Sequence, residues 1–169
     1  MKLIRLTTIL IICIFIFSGC SRLKDPKKEV QKDYQLFMSS VIDKNWTQAW
    51  DCLSYESQKQ YDDFVFKPFK STLAHIPQSQ KQTKIPQTEF TISQIESMSP
   101  PDFFAFQMSD KKSADGMLKM LAPQRTVEST EITENSAVLN MSGDNKIHMR
   151  LENGKWRVVL FPPGTLGGK

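Results

Sequence analysis

The chain has 169 residues, a length that suits one domain, and its 22 Lys+Arg against 18 Asp+Glu leave a net charge of +4. So small a basic excess does not point to nucleic acid, and 40% hydrophobic with 24% charged residues separates the chain from disordered sequences. A mean hydropathy of −0.36 excludes a polytopic membrane protein.

In chain order, Lys2 and Arg5 precede an apolar run, Leu6–Phe17, broken only by Thr7 and Thr8. About 12 apolar residues fall short of the roughly 20 that a helix needs to cross hydrocarbon. A charged start, a short apolar core and small residues after it are the layout of a secretory signal peptide. The run closes on Phe17-Ser18-Gly19-Cys20. This ending resembles the bacterial lipobox, in which an apolar residue and two small ones precede an obligatory cysteine, although Phe17 stands where Leu is more usual. The resemblance implies a lipid thioether on Cys20, cleavage before it, and anchoring to a membrane through acyl chains, two or three of which hold stably where one is marginal. Removing residues 1–19 would leave 20 basic and 18 acidic side chains, a nearly neutral mature protein. Its charge therefore points neither to acidic substrates nor to anionic lipids. The expected organisation is a signal peptide at 1–19, a lipidated tether at 20–24, one domain at 25–161 and a flexible tail at 162–169. Cys13 falls in the discarded segment and Cys20 takes the lipid, so Cys52 is left without a disulfide partner and reads as a buried, inert thiol.

Asp25-Pro26 is a helix start, with Asp as cap and Pro at the first helical position. Val30, Tyr34, Phe37, Met38 and Val41 then recur on one helical face. After Asp43-Lys44-Asn45, the stripe Trp46, Ala49, Trp50, Leu53 predicts a second helix. Ser54 caps a third that runs to about Ile76, with Tyr61, Phe64, Val65, Phe69 and Leu73 as its apolar positions and Pro68 placed to kink or divide it. Pro77–Pro86 reads as a polar loop. Alternation around Phe90 and Ile92 predicts a strand over Glu89–Ser97, Asp102–Ser109 a second strand, and Ala114–Leu121 a short helix. Val127–Thr133, Ala137–Ser142, Lys146–Glu152 and Lys155–Phe161 then form a meander. Asn153-Gly154 is its strongest signal, because Asn-Gly supplies the positive φ angles of a type I′ turn. Ile147, Met149 and Leu151 are expected on one face with Trp156, Val158 and Leu160.

Helices followed by an antiparallel meander make an α+β domain. Asp43–Leu53 (DKNWTQAWDCL) and Ala137–Val159 (AVLNMSGDNKIHMRLENGKWRVV) resemble the short linker, Ala-Trp helix and terminal hairpin of the nuclear-transport-factor-2-like (cystatin-like) superfamily. That resemblance implies N-terminal helices packed on a curved antiparallel sheet. It also implies kinship with small bacterial lipoproteins, many of unassigned function. Asp102–Leu121 departs from the simple pattern and leaves the strand number open.

Residues for chemistry are sparse. His75 ends a predicted helix and His148 is expected to face away from the core. No HExxH, paired CxxC or Gly-rich phosphate loop occurs, so no cofactor or metal is expected. Asp51, Glu56, Asp62 and Asp63 read as a solvated helix face. Enzymes of the resembled superfamily place an Asp or His deep in the sheet pocket, and the strand positions expected to face inward carry no ionisable group. Acid–base catalysis needs one within hydrogen-bond reach of substrate. The unusual stretch is Phe103, Phe104, Phe106 and Met108, which suits core filling and also suits an adaptable apolar contact surface. The sequence therefore favours a lipid-anchored envelope protein that binds a protein partner or a small apolar ligand without turnover. The rival readings are an enzyme using the helix–sheet pocket and a structural accessory subunit of an envelope complex. Ser21 after Cys20, rather than Asp, resembles the signal for the outer membrane, facing the periplasm, in a Gram-negative host.

Overall fold

The computed structural model describes residues 25–86, 88–109, 126–143 and 145–160. Helix α1 spans Pro26–Ile42; the Asp25 carboxylate accepts the Lys27 N–H at 3.1 Å and Pro26 opens the first turn. Its buried stripe, Val30, Tyr34, Phe37, Met38 and Val41, is the one the spacing predicts. Helix α2 (Trp46–Asp51) is capped by Asn45 and buries Trp46, Ala49 and Trp50. Ser54 caps α3 (Tyr55–Tyr61), and its buried hydroxyl receives the Ser57 N–H at 3.2 Å.

The predicted third helix is indeed divided near Pro68. A π-helical turn, Asp62–Phe66, separates α3 from α4 (Lys67–Ala74), and the Lys67 N–H donates to the Asp62 carbonyl five residues back. Pro68 has no N–H to return to the Phe64 carbonyl, which weakens the α register at this point. The wider turn shifts the phase of the apolar stripe. Phe66 is buried, whereas Phe64, expected on the apolar face, is 60% exposed. Tyr61 and Leu73 are buried as expected, and Val65 and Phe69 pack partly buried against the core.

Two predicted strands are helices. Glu89–Ser97 contains α5 (Ile92–Glu96), opened by a capping box in which Thr91 Oγ1 accepts the Gln94 N–H and Gln94 Oε1 accepts the Thr91 N–H. Two reciprocal caps outweigh an alternation only two residues long. Asp102–Ser109 lies within α6 (Pro100–Ser109), where Pro opens the first turn and the Phe103 N–H reaches the Ser99 carbonyl. The expected helix Ala114–Leu121 and the expected tail at 162–169 lie outside the described residues.

Among the described residues, four strands follow one another: β1 (Val127–Thr133), β2 (Ser136–Met141), β3 (Lys146–Glu152) and β4 (Lys155–Val159), paired antiparallel in sequence order. Asn153 and Gly154 adopt φ of 51° and 75° in the β3–β4 turn, as a type I′ hairpin requires. One face of the sheet is covered. Ala137, Leu139, Met141, Ile147, Met149, Trp156 and Val158 are buried there beneath α1, and Leu151 and Leu160 pack partly buried beside them. Each fully buried aliphatic or aromatic side chain contributes about 1.5–3 kcal/mol. Two polar contacts fix α1 across this face: Gln31 Nε2 donates to Thr130 Oγ1 at 3.1 Å, and Asp33 accepts the Trp156 N–H at 2.8 Å. The far edge of β4 is closed by the α2–α3 link. The Val158 N–H donates to the Cys52 carbonyl, and the Ser54 N–H donates to the Val158 carbonyl, each at 2.9 Å. The architecture is α+β, helices on one face of a four-stranded antiparallel sheet.

Candidate functional site

Helix α6 sorts the four residues singled out for an apolar surface. Phe103 and Phe104 are 0% and 1% exposed, so neither offers side-chain area to a partner. Phe103 packs against Phe66 and Phe69 with ring centroids 5.3 and 4.8 Å apart, and Phe104 against Trp50 and Tyr61 at 5.4 and 5.5 Å. Met108 is half-buried against the core. Phe106 is different. It is half-buried and meets the exposed Phe90 edge-to-face at 5.4 Å.

Asp102, Ala105, Phe106 and Ser109 recur at i, i+3, i+4 and i+7, so one face of α6 looks away from the core. With Phe90 and Met98 they line an apolar groove of ≈ 480 Å³, within the size range of small-ligand clefts. Phe90 is set by the small antiparallel bridge Lys84↔Thr91, in which the Ile85 N–H reaches the Phe90 carbonyl at 2.9 Å. Sequence reasoning found Phe106 and missed Phe90 and Met98. The helix-start signal Ser99-Pro100-Pro101 would have placed the face, because it fixes the phase of every residue after it.

A second groove, ≈ 440 Å³, is polar and runs along the free N-terminal half of the β4 edge between α1 and α2. Asp33, Asp51, Lys155 and Arg157 line it, and the field of all four reaches the Cys52 thiol at its floor. Cys52 is buried and free, and burial pushes its thiol up, away from the nucleophilic thiolate.

The histidines stand apart. His75 caps the end of α4, with Nδ1 2.7 Å from the Ser71 carbonyl, and His148 lies on the sheet face opposite α1, beside Val138 and Val159. Other shifted groups have structural causes. Burial raises Tyr34 to about 12 and raises Tyr61 further, whose hydroxyl is 2.5 Å from Gln107 Oε1. Hydrogen bonds from Lys59 and Lys67 lower the Asp63 carboxyl to about 2. Among the described residues, no group of three or more His, Cys, Asp or Glu side chains could hold a metal ion. Also among these, no helix is long and apolar enough to cross a membrane. Cys20 lies outside the described residues. No family model matches the chain, and none of the curated proteins or solved structures compared with it does.

Proposed function

We propose that this chain is a lipid-anchored bacterial envelope protein with a nuclear-transport-factor-2-like (cystatin-like) domain that binds a protein partner or a small apolar ligand without turning it over. The observation that carries the reading is Phe17-Ser18-Gly19-Cys20 behind a charged start and a short apolar core. Lipid on Cys20 would hold the domain at the membrane surface, in the outer membrane and facing the periplasm in a Gram-negative host, given Ser21 at the sorting position. The groove beside Phe90 and Phe106 supplies the binding surface, since exposed and half-buried aromatic and Met side chains around a cleft suit an adaptable apolar contact.

Radiolabelled palmitate tests the anchor. The parent is expected to incorporate label and Cys20→Ala to lose it, and equal labelling of both refutes the reading. Titration of the full chain with 1-anilinonaphthalene-8-sulfonate tests the groove. Phe106→Ser is expected to fold with an unchanged near-ultraviolet spectrum and to bind the dye less than the parent. Undiminished binding in that variant removes the groove from the proposal.

A further inference from the structure

The polar groove along β4 carries charges of both signs, and among the described residues none of them is joined to another in a direct ion pair. On the helical side stand Asp33 and Asp51, and on the strand side Lys155 and Arg157, which alternate with the inward-facing Trp156. A third carboxylate, Glu152, lines the strand side in register with Lys155 and accepts the Tyr55 N–H at 3.0 Å. Among the described residues neither cation forms a salt bridge, although both share the groove with the three carboxylates. Arg157 is also paired in register with Arg150, whose guanidinium is already engaged by Glu56 at 2.9 Å, so its own sheet neighbour repels it. Asp33 uses one oxygen, Oδ2, on the Trp156 N–H. In an antiparallel ladder the N–H and C=O of one residue point the same way, so the Trp156 carbonyl joins Asp33 in facing the groove. Two acceptors and a free carboxylate thus stand across from two unpaired cations, and the exposed Leu36 and Tyr55 give the same groove apolar walls.

We infer that this groove is a binding site for a small zwitterion of the amino-acid or unblocked dipeptide class. The ligand ammonium would lie toward Asp33, Asp51 and the Trp156 carbonyl, its carboxylate toward Lys155 and Arg157, and its apolar side chain against Leu36 and Tyr55. A singly charged ligand would engage only one of the two walls. The site is separate from the apolar groove, on different elements, and stands or falls without it.

Isothermal titration of the purified full chain with L-leucine and leucyl-leucine tests the inference, with N-acetyl-leucine and leucinamide as singly charged controls. At least one zwitterion is expected to bind, and each control to bind at least tenfold more weakly. Asp51→Asn and Arg157→Gln, on opposite walls and outside the core, are each expected to weaken the zwitterion at least tenfold while leaving the thermal midpoint unchanged. If neither zwitterion binds below about 10 mM, if a control binds as tightly, or if both variants bind like the parent, the inference is overturned.

Discussion

The two grooves are of similar size and opposite construction. The apolar one, at Phe90 and Phe106, is walled by α6 and by the segments on either side of α5, and apart from the small bridge at Phe90 its shape is set by side-chain packing. The polar one is framed by α1, the longest helix described, and by β4, whose backbone is held by β3 on one side and by Cys52–Ser54 and Asp33 on the other. Walls fixed by a ladder of backbone hydrogen bonds hold charged groups in place, as discrimination between charges demands. Walls fixed by packing can adjust to the outline of an apolar guest. The comparison teaches that one small domain can present a rigid polar cleft and a compliant apolar one by building them on different kinds of element.

The hardest way to break this contrast is to remove a core ring common to its frame. Trp156→Ala and Phe104→Ala are each expected to cost about 3–5 kcal/mol in denaturant unfolding, whereas Phe106→Ala, on the groove side of the same helix as Phe104, is expected to cost only about 1–2 kcal/mol. Equal losses for Phe104 and Phe106 would mean that the apolar groove is core. Next in size is the hairpin. Gly154 holds φ of +75°, so Gly154→Ala is expected to cost about 1–2 kcal/mol by conformational strain alone, since an added Cβ meets nothing within 4 Å. Thr91→Ala removes the α5 cap and is expected to cost about 1 kcal/mol while loosening Phe90, so dye binding at the apolar groove should fall and zwitterion binding should not. The smallest effect concerns pH. Asp63 is held at about 2, below its ordinary value of 3.8, by Lys59 and Lys67, so the folded state binds fewer protons there than the unfolded one. Its contribution is complete above pH 3.8 and is lost as pH falls through about 2. Asp63→Asn should flatten only that acid limb of a stability profile, and only at low salt, since the pairs are exposed.

How legible the domain was depends on how local its signals are. The β3–β4 hairpin was readable because Asn153-Gly154 fixes the turn and Trp156 and Val158 fix the phase within five residues. The α1 stripe was readable because five apolar positions repeat over three turns. Phe90 and Ile92 misled because two alternating residues fit a strand, whereas the deciding interaction, Thr91 with Gln94, lies in side-chain caps. Phe103, Phe104 and Phe106 misled because a helix with apolar side chains on most of its circumference has little periodicity to show. The polar groove was not readable at all. Asp33 and Trp156 lie 123 residues apart in sequence, and only the tertiary fold brings them together.

That same contact fixes an order of events during synthesis. Helix α1 precedes every other described element, yet the strand that receives it is made more than a hundred residues later. Until β4 exists, Val30, Tyr34, Phe37 and Val41 have no complete sheet to cover them, so the nascent chain carries an uncovered apolar stripe while the intervening residues are made. The sheet itself is made of neighbouring hairpins and closes quickly once its residues are available, because its contacts are short in sequence. Docking of α1 on the sheet therefore waits for β4, and a chain truncated before Lys155 is expected to remain aggregation-prone however well its helices form.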